Sequence, residues 1–319
     1  MTQIAFGPVP SRRLGKSIGI NNIPPKVCSY ACIYCQLGRA IEMEYRRKEF
    51  YRPEEVVEQV TQQVRKAEES RDIPDYLTFV PDGESTLDIH LGTEISELKQ
   101  LGYKLAIITN SSLMNREDVQ NELLNLDLVS IKVDTAEEET WRKINHPHKQ
   151  LSFNDMEKGL RHFSKKYTGK LITETMLIDG VNDAKEQLEK TAAFIASLNP
   201  SVAYISIPTR PPARKKVKVA TEEGVNMAYQ IFSTQIKHVE MITGHEGNAF
   251  AHTGDTAQDI LSITAVHPMR EDSVKEFLEK DGKSWDIIEQ LLKEEKILET
   301  AFNGHKFYVR KLADHHQQI

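Results

Sequence analysis

The chain has 319 residues, 39% hydrophobic and 28% charged, with a formal net charge of −6 at neutral pH. That length exceeds one ordinary core and predicts a large domain with a smaller one, and the mild acidity excludes coating of nucleic acid by bulk charge, leaving local patches. No apolar run approaches the roughly 20 residues that span a bilayer, and residues 1–6 lack the basic start and apolar centre of a secretory signal, so a cytoplasmic protein without membrane contact is expected.

Region 1–50 carries all three cysteines, Cys28, Cys32 and Cys35. From 51 to 243, short β-branched apolar runs alternate with longer stretches of helical period. Strands are predicted at 76–80, 104–109, 128–133, 171–178, 203–207 and 238–242. Helices are predicted at 53–69, 91–101, 154–166, 183–197 and 221–235, with Pro53 and Asp183 as openers. Strands separated by helices make βαβ units and hence a parallel sheet, open or closed.

A parallel strand covered on both faces is apolar throughout. Here Ser130, Lys132 and Asp134 alternate with Ile131 and Val133, Glu174 stands between Thr173 and Thr175, and Tyr204, Ser206 and Pro208 repeat the period. Polar groups on one face fit a barrel whose lumen holds a polar ligand. A partly solvated edge strand gives the same alternation.

Residues 245–254 are rich in Gly, His and Asn and read as a linker or closing loop after a first domain of 1–244. Helices follow at 255–265, 270–279 and 284–294, then two β-prone runs, 297–300 and 306–311, across Asn303-Gly304. Asn-Gly between such runs signals a hairpin. Residues 255–319 are therefore expected to form a winged-helix-like domain with a short tail, with Trp285, Phe277 and Ile288 in its core. Residues 257–319 hold 9 Lys and Arg against 12 Asp and Glu, which argues against a conventional duplex reader and leaves a peptide dock or passive lid.

The cysteines form the pattern CxxxCxxC. Soft thiolates suit iron–sulfur clusters and zinc. A closed zinc site wants four ligands, yet no fourth cysteine exists and the first histidine is His90. Three thiolates on a 4Fe–4S cube leave one iron open to a small chelating molecule. An odd, tightly spaced set also speaks against a disulfide framework.

With Tyr34 just before the third cysteine, this loop resembles the signature of the radical S-adenosylmethionine (radical SAM) superfamily. Gly83-Glu84, after the first strand beyond the loop, resembles the superfamily's Gly–Glu motif. Asn110 and Ser111 match its methionyl-carboxylate or ribose position, Ser130, Lys132 and Asp134 its ribose or carboxylate strand, and Leu177 its adenine-packing residue. The resemblance implies an α/β fold, a partial (β/α)6 barrel with its site at the strand C-terminal ends. It implies a single 4Fe–4S cluster, S-adenosylmethionine as cofactor and an electron donor such as flavodoxin or ferredoxin. It further implies reductive cleavage to a 5′-deoxyadenosyl radical, Glu84 pairing with the methionyl ammonium. Residues 6–15, 210–213 and 267–269 are closer still to a group related to the wyosine-tRNA synthetases, without the three further cysteines of their second cluster.

Lys132, Glu174 and Arg210 are candidates for substrate or carboxylate contacts, or for internal ion pairs such as Lys132 with Asp134. Arg210, Arg214, Lys215, Lys216 and Lys218 form a basic run that either meets phosphates or is a solvated loop. Arg12 and Arg13 dock a phosphate or carboxylate or brace the N-terminal segment. His146 and His148 read as a polar loop rather than metal ligands. Three readings of function stay open: modification of an RNA base or nucleotide-like substrate such as tRNA, modification of a peptide or protein, and a non-catalytic iron–sulfur regulator.

Overall fold

The computed structural model describes residues 3–11, 13–38, 40, 42–242, 255–266, 269–302 and 304–311. The chain begins with a hairpin of β1 (Ala5–Ser11) and β2 (Gly15–Ile20), followed by the two-residue strands β3 (Val27–Cys28) and β4 (Glu42–Met43) that bracket the cysteine loop. Then come α1 (Pro53–Glu69), β5 (Tyr76–Phe79), α2 (Leu91–Leu98), β6 (Lys104–Thr109), α3 (Glu117–Leu123) and β7 (Leu128–Lys132). Helices α4 (Glu138–Asn145) and α5 (Phe153–Lys166) precede β8 (Lys170–Met176), α6 (Lys185–Ser197), β9 (Val202–Ser206), α7 (Glu222–Gln235) and β10 (Val239–Ile242).

One sheet joins the strands in the order β1-β2-β5-β6-β7-β8-β9-β10, and every pair from β2 onward is parallel. Repeated βαβ units on a parallel sheet make this the partial barrel expected. The hairpin strands are an addition. Gly7, Pro8, Pro10, Gly15 and Gly19 hide them from a pattern of β propensity, because Gly and Pro are depleted in strands. Gly19 is nevertheless required: a Cβ there would lie 2.0 Å from the Phe6 ring packed across the hairpin.

The helices form where their apolar positions recur on one face. In α1 these are Val56, Val60, Val64 and Ala67, and Pro53 at the start has no amide to leave unsatisfied. Ser152 caps α5 by accepting from Asp155 N, and Thr221 caps α7 by accepting from Gly224 N. Asp183 does not open α6; it accepts from Gly180 N, and Ala184 is the cap position. Helices α3 and α4 were not among the predicted elements; each is short.

Strand alternation divides the molecule into two layers. Leu77, Phe79, Leu105, Ile107, Val129, Ile131, Val133, Ala203 and Ile205 join the main core with the helices. Ala106, Leu128, Ile172, Tyr204 and Ile242 form a second cluster closed by Leu14 from the β1–β2 turn. Period two then places Ser130, Lys132, Glu174 and Ser206 on the face of that second cluster, which is the lumen.

Beyond the sheet lie α8 (Thr256–Val266), β11 (Met269–Arg270), α9 (Glu271–Lys280), α10 (Asp286–Lys293), β12 (Ile297–Phe302) and β13 (His305–Arg310). The three helices and the hairpin are at the predicted places, and β11 completes an antiparallel sheet β11-β13-β12. Phe277 and Ile288 are core there, and Trp285 packs edge-on to Tyr308. Phe6 and Val9 of β1 belong to the same cluster, so this unit is seated on the barrel through apolar burial. The predicted linker, the Asn303 corner, Arg12 and the tail from 312 lie outside the described residues.

Candidate active site at the cysteine loop

The three cysteines are half-buried, unpaired with one another, and line one open pocket with Lys26, Tyr30, Leu37, Pro81, Asp82 and Gly83. Backbone bonds hold the loop: Ala31 N donates to Asn145 O at 3.0 Å, Ile33 N to Ile144 O at 2.9 Å and Glu84 N to Val27 O at 3.2 Å. Gly83 permits that last approach, since a Cβ on it would stand 1.9 Å from Val27 O.

Two side-chain amides reach the sulfurs. Asn110 Nδ2 lies 3.5 Å from Cys28 Sγ and 2.9 Å from Ser29 Oγ, and Asn145 Nδ2 lies 3.4 Å from Cys32 Sγ. Burial pushes all three thiols upward, Cys32 to about 12, so these surroundings do not by themselves make thiolates. A cationic iron–sulfur cube would supply the missing charge. Among the described residues no group of three or more His, Cys, Asp or Glu side chains is placed to hold a single metal ion. Donor chemistry, pocket and amide donors therefore fit a cluster.

Glu84 is fully enclosed. Its Oε1 accepts from Thr86 N at 3.2 Å and from the Thr86 and Thr109 hydroxyls at 2.7 Å each, and its Oε2 accepts from Asn110 N at 2.7 Å. Burial raises its pKa against the pull of those donors. Here Glu84 ties the turn after β5 to the turn after β6, where Asn110 sits. Ser111 is buried with a left-handed φ of 69°, and its hydroxyl accepts from Lys132 N at 3.0 Å.

In the lumen, Lys132 Nζ lies 2.9 Å from Glu174 Oε1 and 5.1 Å from the centre of the Tyr34 ring. Arg13 pairs with the other Glu174 oxygen, and Ser206 Oγ donates to Glu174 at 3.0 Å. Asp134 is engaged elsewhere: it accepts from Tyr34 Oη, from Asn145 Nδ2 at 2.7 Å and from Met176 N at 2.9 Å. The Lys132–Asp134 pair weighed from the sequence is thus replaced by Lys132–Glu174, because Asp134 lies at the strand end beside the cysteine loop. Burial lowers the pKa of Lys132.

Tyr34, Gly83, Asn110, Lys132 and Asp134 therefore gather around Cys28, Cys32 and Cys35, and Ser130 is buried one step down the lumen. Leu177 does not join them. Its odd position turns it into the fully buried core beneath the helices, whereas Met176 and Ile178 pack with Ile33 and Tyr34. Arg210 is buried at the rim and donates to Gln36 Oε1 at 2.9 Å. His146 ends α4 in a left-handed turn, and His148 stacks on Tyr45 at 4.6 Å between ring centres, a polar loop as expected. The sequence did not point to Asn145, whose only local signal is its place at a helix end before a proline-containing loop, nor to the Tyr30–Trp141 hydrogen bond of 3.0 Å behind the cysteine loop.

The radical SAM superfamily model matches residues 22–195 of the chain. A UPF0026 protein of Methanocaldococcus jannaschii is 45% identical over 318 residues, 99% of this chain and 98% of that one. A solved radical SAM methyltransferase from Sphaerobacter thermophilus aligns with a TM-score of 0.56 at 15% identity, covering 72% of this chain and 67% of that one. A structure of TYW1 with a lysine–pyruvate adduct bound aligns with a TM-score of 0.53 at 15% identity, covering 70% and 76%. At those identities the two structures show a shared fold. No described helix is long and apolar enough to cross a membrane.

Proposed function

The chain belongs to the radical SAM superfamily, and on that premise we propose that it cleaves S-adenosylmethionine reductively at a single 4Fe–4S cluster held by Cys28, Cys32 and Cys35. The superfamily consists of enzymes, which sets aside the non-catalytic regulator. When bound, the cluster and S-adenosylmethionine supply a 5′-deoxyadenosyl radical able to take a hydrogen atom from an unactivated carbon. One observation carries the assignment: three half-buried cysteines line one pocket, with amide donors on two of their sulfurs and Gly83 closing the turn against Val27.

The chain's own residues position the ligands. Asn110 and Asn145 orient two sulfurs, Asp134 fixes Tyr34 over the loop, and Glu84 holds the Asn110 turn in place. The lumen pair Lys132–Glu174, with Arg13, stands where a polar substrate would enter. We assign as substrate an RNA base or nucleotide-like molecule, on the strength of the sequence resemblance to the wyosine-related group. A peptide or protein, with the C-terminal unit as dock, is the second reading; that unit is fixed to the barrel by Phe6 and Val9.

Anaerobically reconstituted protein given a strong reductant is expected to form 5′-deoxyadenosine from S-adenosylmethionine. Cys32→Ala is expected to abolish both iron loading and cleavage, and retained cleavage would overturn the cluster assignment. Capture of tRNA against protein from anaerobic lysate separates the two substrate readings.

A further inference from the structure

Arg214, Lys215, Lys216 and Lys218 stand exposed on the loop that follows β9. None of the four forms an ion pair with a described carboxylate. Some surface lysines elsewhere are paired along their helices, such as Lys143 with Glu139, Lys185 with Glu189 and Lys275 with Glu271. This loop therefore keeps a compact unneutralised positive charge in a chain that is acidic as a whole.

Its position is specific. Arg214 N donates to Ile33 O at 3.1 Å, and Val217 is buried against Ile33, Ile144 and Ile178. Ile33 lies between Cys32 and Cys35, so the backbone of Arg214 is one hydrogen bond from the segment that joins two of the three cysteines. Asp179 N donates to Lys218 O at 3.2 Å and pins the far end of the loop. A strand of nucleic acid gains affinity from many phosphates along an extended track. A short cluster of cations on a loop anchored to the cysteine segment instead suits a partner that must bring its own centre close, because complementary charge steers encounter and fixes register.

We propose that the exposed face of residues 214–218 is the docking surface for an acidic redox protein that carries one electron at a time. The inference rests on the cluster reading above. One electron would pass from the donor's reduced flavin or iron–sulfur centre, oxidising it by one electron, to the cluster that the three cysteines would hold; no bond would form or break in that transfer.

The test uses the reconstituted full chain, an acidic flavodoxin and an acidic ferredoxin as probes, and a variant combining Arg214→Glu, Lys215→Glu, Lys216→Glu and Lys218→Glu. Calorimetry is expected to show binding of at least one probe that weakens steeply with salt and falls about tenfold or more in the variant. The corresponding four-glutamine variant should fall between. Protein-driven formation of 5′-deoxyadenosine should drop in step, while dithionite-driven formation stays at the parent level. Absence of binding by both probes, or equal binding by parent and variant, overturns the proposal. So does a variant that keeps its redox partner but loses end-labelled tRNA, which assigns the loop to RNA. Parent protein that shows no cluster absorbance and no dithionite-driven cleavage marks failure of the cluster reading itself.

Discussion

The Lys132 ammonium and the Glu174 carboxylate meet at 2.9 Å across neighbouring strands, and Arg13 reaches the same carboxylate from the β1–β2 turn. Two cations thus share one anion inside the barrel. Glu174→Gln leaves both cations facing each other in a desolvated lumen. The expected cost is about 3 kcal/mol or more, since breaking a buried pair from one side strands a charge. Lys132→Met with Glu174→Gln should cost less than the sum of the single changes. Urea unfolding of the four proteins measures the coupling, and strict additivity would show that the pair is energetically inert.

Gly83→Ala places a methyl group 1.9 Å from Val27 O and 2.8 Å from Ile23 Cδ1. Overpacking of this kind costs roughly 1–3 kcal/mol, which a domain of this size survives. The loop, however, must move to relieve it. Circular dichroism should stay close to that of the parent while iron per chain after reconstitution falls severalfold. Full iron loading would show that the Val27 contact is dispensable.

Asn110 and Asn145 donate toward Cys28 and Cys32 at 3.5 and 3.4 Å. Donors to cluster sulfurs stabilise the more negative, reduced state and raise its potential. Asn110→Ala and Asn145→Ala should each move the midpoint to more negative values in an EPR-monitored titration. An unchanged midpoint in both variants would remove the amides from that role.

Glu94 is buried beside Asp88, and burial with that neighbouring carboxylate pushes its pKa up to about 9. A carboxyl group raised in the folded state binds its proton there and releases it on unfolding. Its contribution to stability is therefore present at low pH and declines as pH rises from about 4.5 toward 9, with a limiting slope near 1.4 kcal/mol per pH unit. Glu94→Gln mimics the protonated acid. It should match the parent near pH 5 and exceed it at pH 9, and parallel urea midpoints at both pH values would contradict the shift.

Much of the fold was legible because its strands and helices repeat with clear periods. Val56, Val60 and Val64 mark the buried stripe of α1, and Ser130 and Lys132 mark the polar part of the lumen face of β7. The hairpin before the cysteine loop was not legible. Its Gly and Pro content reads as loop, and only the packing of Phe6 over Gly19 and the pairing of Ile18 with Leu77 make it part of the sheet.

Within the site, CxxxCxxC by itself singled out the three cysteines as the candidate ligand set, because residue type and spacing are local properties of one short loop. The Gly83-Glu84 and Asn110-Ser111 turns were likewise found at strand ends, where a parallel sheet presents its loops. Partner choice was decided only in three dimensions. That Asp134 holds Tyr34 and Asn145 while Lys132 turns to Glu174 depends on which strands are neighbours and in what register. The same is true of Leu177, which one residue of register carries from the lumen to the core. Hydrogen bonds and ion pairs need contact within a few ångströms, and the chain positions that make them here are separated by 42 residues for Lys132 and Glu174 and by 113 for Cys32 and Asn145. No local pattern encodes such distances; the closing of the sheet does.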